Sequence, residues 1–356
     1  MKKIYAINEI AYLRGSSDFL IDTQNNNRYR IMVKEKSENI SYCFSCPIYN
    51  GIDGSIINTE LAEDNSFNGT NCFIKSKEKA ITVKNSTISA EILFSEKYEI
   101  VPTQNGAKLV FKANTVDLSL KYSGYARDIR NGGNWLAVMT DKFTPCLSIN
   151  ALYGHSPKGI FPITLAYSNT QDGTASITVR SAYAVDGIVL ELGSYEPKLF
   201  QDTTVESLHP TQNNVYSSIA FIGKTNEFGE QWLYSRPDFS KISELYAKKI
   251  YKAILHIPVF DGQGEELKIY FPERRFCSFG SNWEKKIPHN EQYITAVCGE
   301  KYLSIDVTER FRNSVSEHLT YNEGLIFKKT NEKEKYVALS TGDSYLAPQI
   351  LEIRHE

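Results

Sequence analysis

Lys108-Leu-Val-Phe-Lys112 and Val116-Asp-Leu-Ser-Leu-Lys-Tyr122 follow one another in the chain, and their reading decides the class of fold. In the second, Val116, Leu118 and Leu120 alternate with Asp117, Ser119 and Lys121, the period of a strand with one face in a core and one in water. The same texture extends in both directions, through Tyr29-Arg-Ile-Met-Val33, Ala80-Ile-Thr-Val-Lys84, Ile88-Ser-Ala-Glu-Ile-Leu-Phe94, Ile177-Thr-Val-Arg180 and Ile188-Val-Leu-Glu-Leu192. Turn chemistry closes these segments at Asn105-Gly106, Asn131-Gly132-Gly133 and Asp172-Gly173. Strand after strand without alternating helices predicts an all-β chain of antiparallel β-sandwich domains, jelly-roll-like in character. Helical spacing is rare. It recurs at Ser240 to Ile250, which reads equally well as the approach to a strand, and at Asp306 to Ser316, where Asp306 and Thr308 suit a cap and Phe311 and Val315 form an apolar stripe.

Composition agrees with the strand reading, since 22 Tyr and 18 Phe stand against 3 Met and aromatic residues favour strands. Forty Lys and Arg against 42 Asp and Glu leave a net charge of -2, so no global field draws the chain to nucleic acid. No segment approaches the length of an apolar membrane span, and membrane insertion is not expected. Asn8, Glu9 and Arg14 interrupt the apolar run that a secretory signal would need, so no signal peptide is visible. At 356 residues two domains are the natural division. We place them at 1–199, where a further split near Gly132-Gly133 is open, and at 200–356.

The six cysteines are scattered, and only Cys43 and Cys46 form a Cys-x-x-Cys pair, in a stretch that reads as a strand running into Pro47. Cys146, Cys277 and Cys298 are expected to be buried thiols. No two histidines stand at metal-binding spacing, and Gly15-Ser16-Ser17-Asp18 lacks the frame of a nucleophile elbow. A non-enzyme is expected. The alternative is a glycan-active hydrolase or lyase with its carboxylates in the N-terminal half, for which no motif selects a pair.

From Phe200 onward, ordered elements carry a resemblance. Asp202-Thr-Thr-Val-Glu-Ser-Leu-His-Pro-Thr-Gln-Asn-Asn214 supplies a strand and a Pro-Thr-x-Asn turn, and Tyr216-Ser-Ser-Ile-Ala-Phe-Ile-Gly223 the next strand. Trp283-Glu284 stands in the place of a Trp-x-Glu element, Leu303-Ser-Ile-Asp-Val-Thr308 supplies an Asp-Val-Thr helix start, and Asn322-Glu-Gly and Pro348-Gln-Ile-Leu the closing strands. This order resembles the DNRLRE family, β-sandwich modules of microbial surface proteins that are close to carbohydrate-binding modules. The basic stretch Pro272-Glu-Arg-Arg-Phe276 has no counterpart there.

The resemblance implies a non-catalytic surface or assembly protein of a spore layer, phage tail or adhesin-like structure, extracellular or particle-associated. Its partners would be a polysaccharide or neighbouring protein subunits, including other copies in a homo-oligomer joined through sheet edges. Calcium is the one cofactor it suggests, with Asp202, Asp306 and Asn322 near strand ends, where turn and cap roles compete. Binding of this kind uses exposed aromatics beside planar polar groups. The candidates are Trp232, Tyr234, Tyr270 and Trp283, with Arg236, Arg274 and Arg275 as neighbours and the stretch 270–279 as the surface. Trp135 is the corresponding exposed aromatic of the first half, unless it staples its own loop.

Overall fold

The computed structural model describes residues 73–356 except 85–86, 104–105, 141–144, 170–173, 194–199, 238–249, 317–322, 330–334, 345, 348 and 356, and, before residue 73, the backbone of five strands. Those strands are β1 (Lys2–Ile7), β2 (Ser17–Asp22), β3 (Tyr29–Glu35), β4 (Ile40–Cys46) and β5 (Ser66–Asn68). Next come β6 (Phe73–Lys77), β7 (Ala80–Lys84), β8 (Ile88–Phe94), β9 (Tyr98–Thr103), β10 (Gly106–Phe111), β11 (Thr115–Gly124) and β12 (Ala126–Asn131). They are followed by β13 (Trp135–Thr140), β14 (Pro145–Ser156), β15 (Gly159–Phe161), β16 (Thr164–Asn169), β17 (Thr174–Arg180) and β18 (Gly187–Gly193). The C-terminal part holds β19 (Phe200–Glu206), β20 (Ile219–Thr225), β21 (Gly229–Pro237), β22 (Ile250–Asp261), β23 (Glu266–Pro272), β24 (His289–Val297) and β25 (Tyr302–Asp306). After α1 (Thr308–Ser316) come β26 (Leu325–Lys329), β27 (Val337–Ser340) and β28 (Ile350–His355). Among the described residues α1 is the one α-helix, so the chain is all-β, and no helix is long and apolar enough to cross a membrane. The second helical reading, Ser240 to Ile250, lies outside the described residues except Ile250, which opens β22.

Sheet order follows from which strands alternate and which do not. β8, β11 and β17 alternate buried and exposed positions and belong to one sheet, β16-β17-β11-β8-β7-β6-β5. A second sheet, β12-β13-β14-β18-β10-β9 with β15 beside β14, faces it across one core that runs from Ile74 to Leu192. β13 and β18 are buried along almost their whole length without alternation, Glu191 of β18 included, the mark of strands covered on both faces. Leu136, Val138, Leu190 and Leu192 point into the core shared with the first sheet, whereas Trp135, Ala137 and Met139 pack against Val215 and Tyr216 of the C-terminal part. The arrangement is sandwich-like.

The C-terminal strands surround a second core, from Phe200 to Ile353. β22 is its corner: residues 250–258 pair with β25 and β28, and from Val259 the strand pairs with β27, with a register shift between Val259 and Asp261. A bulge bends a strand and sharpens its twist, so the sheet turns back over its own core. The remainder of this sheet runs β27-β20-β21-β26-β23-β24, with β19 beside β21. On the other side β1 pairs antiparallel with β28, Tyr5 opposite Leu351, and β4 runs parallel to β1. α1 caps this core with Phe311. Asp306 Oδ1 accepts the Thr308 amide at 2.9 Å, and hydrogen bonding from the Thr308 hydroxyl, followed by that amide, holds the Asp306 carboxyl below its ordinary pKa.

The two cores are joined by a seam of buried aromatic and polar residues. Trp135 is 3% exposed and meets Tyr216 edge to face at 5.2 Å, so it bridges the two parts and is not the exposed aromatic its loop position suggested. The reason is the turn before it. A Cβ at Gly132 would lie 1.9 Å from Trp135 Nε1 and 2.6 Å from Asn214 Oδ1, so only glycine there leaves room for both side chains. Around it Asn150 Oδ1 accepts the Ser218 amide at 3.2 Å, and Glu227 accepts the Ala182 amide at 2.8 Å. Burial raises the pKa of Glu227. The Tyr336 hydroxyl donates to the Ile160 carbonyl at 2.6 Å.

Candidate functional site

β21 generates the site by simple alternation. Leu233 points into the C-terminal core, so Glu230, Trp232, Tyr234 and Arg236 share the opposite face. Neighbouring strands continue that face: Tyr234 pairs with Ile326 of β26, Ile326 with Tyr270 of β23, and Tyr270 with Tyr293 of the outermost strand β24. Cross-strand pairing therefore aligns three tyrosines in one row.

The segment between β23 and β24 returns over this face. Its ends are tied where the Glu273 amide donates to the Pro288 carbonyl at 2.9 Å. Asn213 Nδ2 donates to the carbonyls of Ser278 at 2.5 Å and Ser281 at 2.9 Å, and the Glu284 amide donates to Pro210 at 3.0 Å. The Pro-Thr-x-Asn turn and the Trp-x-Glu element, seventy residues apart in sequence, thus meet. Along the segment, Phe276 packs on Tyr234 at 5.5 Å and Trp283 on Trp232 at 5.0 Å.

Two lysines complete the platform. Lys286 Nζ lies 3.4 Å from the Trp283 ring centre, and Lys328 Nζ lies 3.3 Å from that of Trp232 and 5.0 Å from that of Tyr270. Ammonium groups on indole faces are held by the ring quadrupole. Lys328 also bonds His289 Nε2, while His289 Nδ1 faces the Asn290 carbonyl at 2.8 Å. With Nδ1–H donating to the Asn290 carbonyl, Nε2 is the atom that accepts from the lysine. Glu230 is the local counter-charge and accepts Trp232 Nε1–H at 2.6 Å. Partial burial outweighs Glu230 and pushes Lys328 down to about 8, with Lys286 pushing the same way, and burial lowers Lys286 too. Toward the sheet edge Lys268 Nζ lies 4.2 Å over Tyr293. A hollow of about 140 Å3 adjoins Glu230 and Trp232, lined also by Lys224 and Lys329. The arrangement offers aromatic walls and several ammonium groups against few carboxylates, which is chemistry for an anionic ligand with apolar ring faces.

The residues named from sequence separate into three groups. Tyr270, Trp232 and Trp283 come together in the platform. Tyr234 is 0% exposed beneath Phe276, leaving no ring face for a ligand, and burial raises its phenol pKa. Arg236 is also covered, donating to Gln201 and lying 5.7 Å from the Phe276 ring. Arg274 and Arg275 are exposed on the returning segment. Sequence reading missed Glu230, Lys286, His289, Tyr293 and Lys328. The parity of β21 signals Glu230, but Lys286 and His289 arrive through a loop whose path has no periodicity.

Other expectations resolve simply. Cys146 and Cys298 are buried thiols pushed up to about 11 by burial, but Cys277 is exposed, because it stands in the returning segment and not in a strand. Cys43, Cys46 and Cys72 have side chains outside the described residues. Asp202 is buried and accepts from the Gly342 amide and from Gln349 Nε2, Asp306 binds the start of α1, and Asn322 lies outside the described residues. Among the described residues no group of three or more His, Cys, Asp and Glu side chains is placed to hold a metal. In the N-terminal part a groove of about 430 Å3 carries Glu96 and Glu99, the latter exposed and paired with Lys112 at 3.3 Å. No protein-family model matches the chain, and no curated protein matches it.

Proposed function

We propose that this chain is a non-catalytic attachment or assembly protein of a cell surface or extracellular particle, whose C-terminal module holds an acidic glycan on the Trp232, Trp283 and Tyr270 platform. The observation that carries the reading is the pair of lysine ammonium groups resting on the two indoles at 3.3 and 3.4 Å. A uronate or sulfated sugar brings both complements: a carboxylate or sulfate for the ammonium groups, and C–H faces for the aromatic walls. Charge-assisted hydrogen bonds in such a partly desolvated site are roughly twice as strong as neutral ones. The order of DNRLRE-like motifs supports the same reading, as does a jelly-roll-like reading of the C-terminal sheet. In this reading Arg274 and Arg275 form the rim, where charge steers approach more than it fixes affinity.

The test is a glycan array probed with the full chain at two salt concentrations. Uronate-rich and sulfated glycans should be retained at low salt and released as ionic strength rises. Retention of neutral glycans alone, or salt-insensitive retention, contradicts the reading.

A further inference from the structure

Two lysines beside the C-terminal core have carboxylate partners: Lys329 bonds Glu265, and Lys335 bonds Asp261 at 2.7 Å. Lys328, next to Lys329 on β26, departs from this arrangement. Its side chain is half-buried, its Nζ lies on the rings of Trp232 and Tyr270, and it donates to His289 Nε2. Among the described residues no carboxylate is in ion-pair contact with it. The charged groups nearby are Glu230, which is engaged by the Trp232 indole N–H, and the second ammonium, Lys286, 4.9 Å from the same Trp232 ring centre. Aromatic packing, a neighbouring cation and a nitrogen lone pair aimed at the ammonium all favour the neutral amine. They make the surroundings of a nucleophilic lysine and not those of a structural ion pair.

We infer that Lys328 captures carbonyl compounds, forming an iminium with the aldehyde of a small acid whose carboxylate is held by Lys286. His289 Nε2 already accepts from Nζ, so it takes the first ammonium proton. The freed lone pair attacks the carbonyl carbon, the C=O π pair moves to oxygen, and a second proton passes from nitrogen to that oxygen. His289 then returns the first proton to the hydroxyl, which leaves as water while the nitrogen pair forms the C=N bond. Ammonium and aldehyde thus become iminium and water, with one proton left on nitrogen and no oxidant or reductant needed. The acid group follows from Lys286, whose ammonium sits on the Trp283 ring at 3.4 Å, beside the reacting amine. The inference shares the platform with the glycan reading but does not rest on it. Capture at Lys328 without glycan binding leaves it standing, and glycan binding without capture overturns it alone.

Reductive trapping on the full chain tests it. The chain is incubated with glyoxylate and cyanoborohydride near neutral pH, and the carboxymethyl groups left by hydride reduction of the iminium are located by peptide mass mapping. Lys328 should be labelled at least about tenfold faster than the exposed Lys285 and Lys301. Its labelling rate should level off as pH passes about 8, whereas that of the exposed lysines keeps rising. His289→Gln, which keeps a hydrogen-bond acceptor but cannot carry the proton, should slow labelling of Lys328 several-fold and leave the exposed lysines unchanged. With acetaldehyde, which has no acid group, the preference for Lys328 over the exposed lysines should fall, and Lys286→Met should abolish the difference between the two aldehydes. Thermal melting verifies that each variant is folded, and the rate comparison on the unmodified chain needs no variant. Labelling of Lys328 no faster than that of Lys285 and Lys301, a rate indifferent to His289→Gln, or equal preference with both aldehydes overturns the assignment.

Discussion

Trp135→Ala will lower the free energy of unfolding by about 3–5 kcal/mol, the usual cost of deleting a large buried aromatic. The indole is not a core residue of either part. It fills the seam between them, 3% exposed, against Tyr216, Val215 and Met139. Its removal leaves a hole that cannot collapse, because the two β-sheets on either side are rigid layers with cores of their own. Urea unfolding followed by far-ultraviolet circular dichroism measures the loss. A change below about 1 kcal/mol would mean that the seam contributes little and that the two parts hold together by other contacts. Gly132 enforces the same packing from the other side, since a Cβ there would strike Trp135 Nε1 at 1.9 Å.

The pH dependence of stability should single out Lys328. Its folded pKa, about 8, lies below the ordinary value of 10.5. Below the folded value both states are protonated and the full cost of the partly buried charge is present. Between about 8 and 10.5 the folded state has released a proton that the unfolded state retains, so this lysine makes stability rise with pH in that window. Other groups act oppositely in its upper part, because Cys146 and Cys298, each near 11 in the folded state, ionise more readily when unfolded. The clean quantity is therefore the difference between the unmodified chain and Lys328→Met. From near-neutral pH to about pH 10 that difference should shift by about 1 kcal/mol in favour of the unmodified chain, since solvent screens a half-exposed ammonium group. A constant offset across the range would show that Lys328 is solvated and that the platform is open to water. In the proposed glycan complex, Lys328→Met should also weaken binding, and the unmodified chain should lose affinity as pH rises through 8.

Much of the fold is written in local patterns, and the departures have identifiable causes. Ile88-Ser-Ala-Glu-Ile-Leu-Phe94 alternates, and β8 covers those residues with its outward positions in water. The β22 stretch buries Leu255, Ile257 and Val259 as its alternation requires. Asp306 and Thr308 mark the start of α1 correctly because capping is local chemistry. What alternation cannot tell is which face a distant segment covers. Trp232 and Tyr234 have the same parity on β21, but the segment after β23 lays Phe276 over Tyr234 and leaves Trp232 at the rim. Cys277, read as buried from its apolar neighbours, is exposed for the same reason: the chain there follows a loop pinned by Asn213, not a strand. Trp135 is hidden by a contact eighty residues away in the chain, which no local pattern records.

Tryptophan fluorescence tests the platform most directly, because the chain has 3 Trp residues and two of them, Trp232 and Trp283, form its walls while Trp135 is sealed in the seam. The full chain is titrated with polygalacturonate and, separately, with a neutral glucan of similar length. Binding at the proposed site predicts a saturable change in emission with the acidic polymer, a much smaller one with the glucan, and loss of the response in Trp283→Ala with its melting temperature nearly unchanged. Emission that is indifferent to both polymers, or that responds equally in Trp283→Ala, would contradict the assignment of this surface as the glycan site.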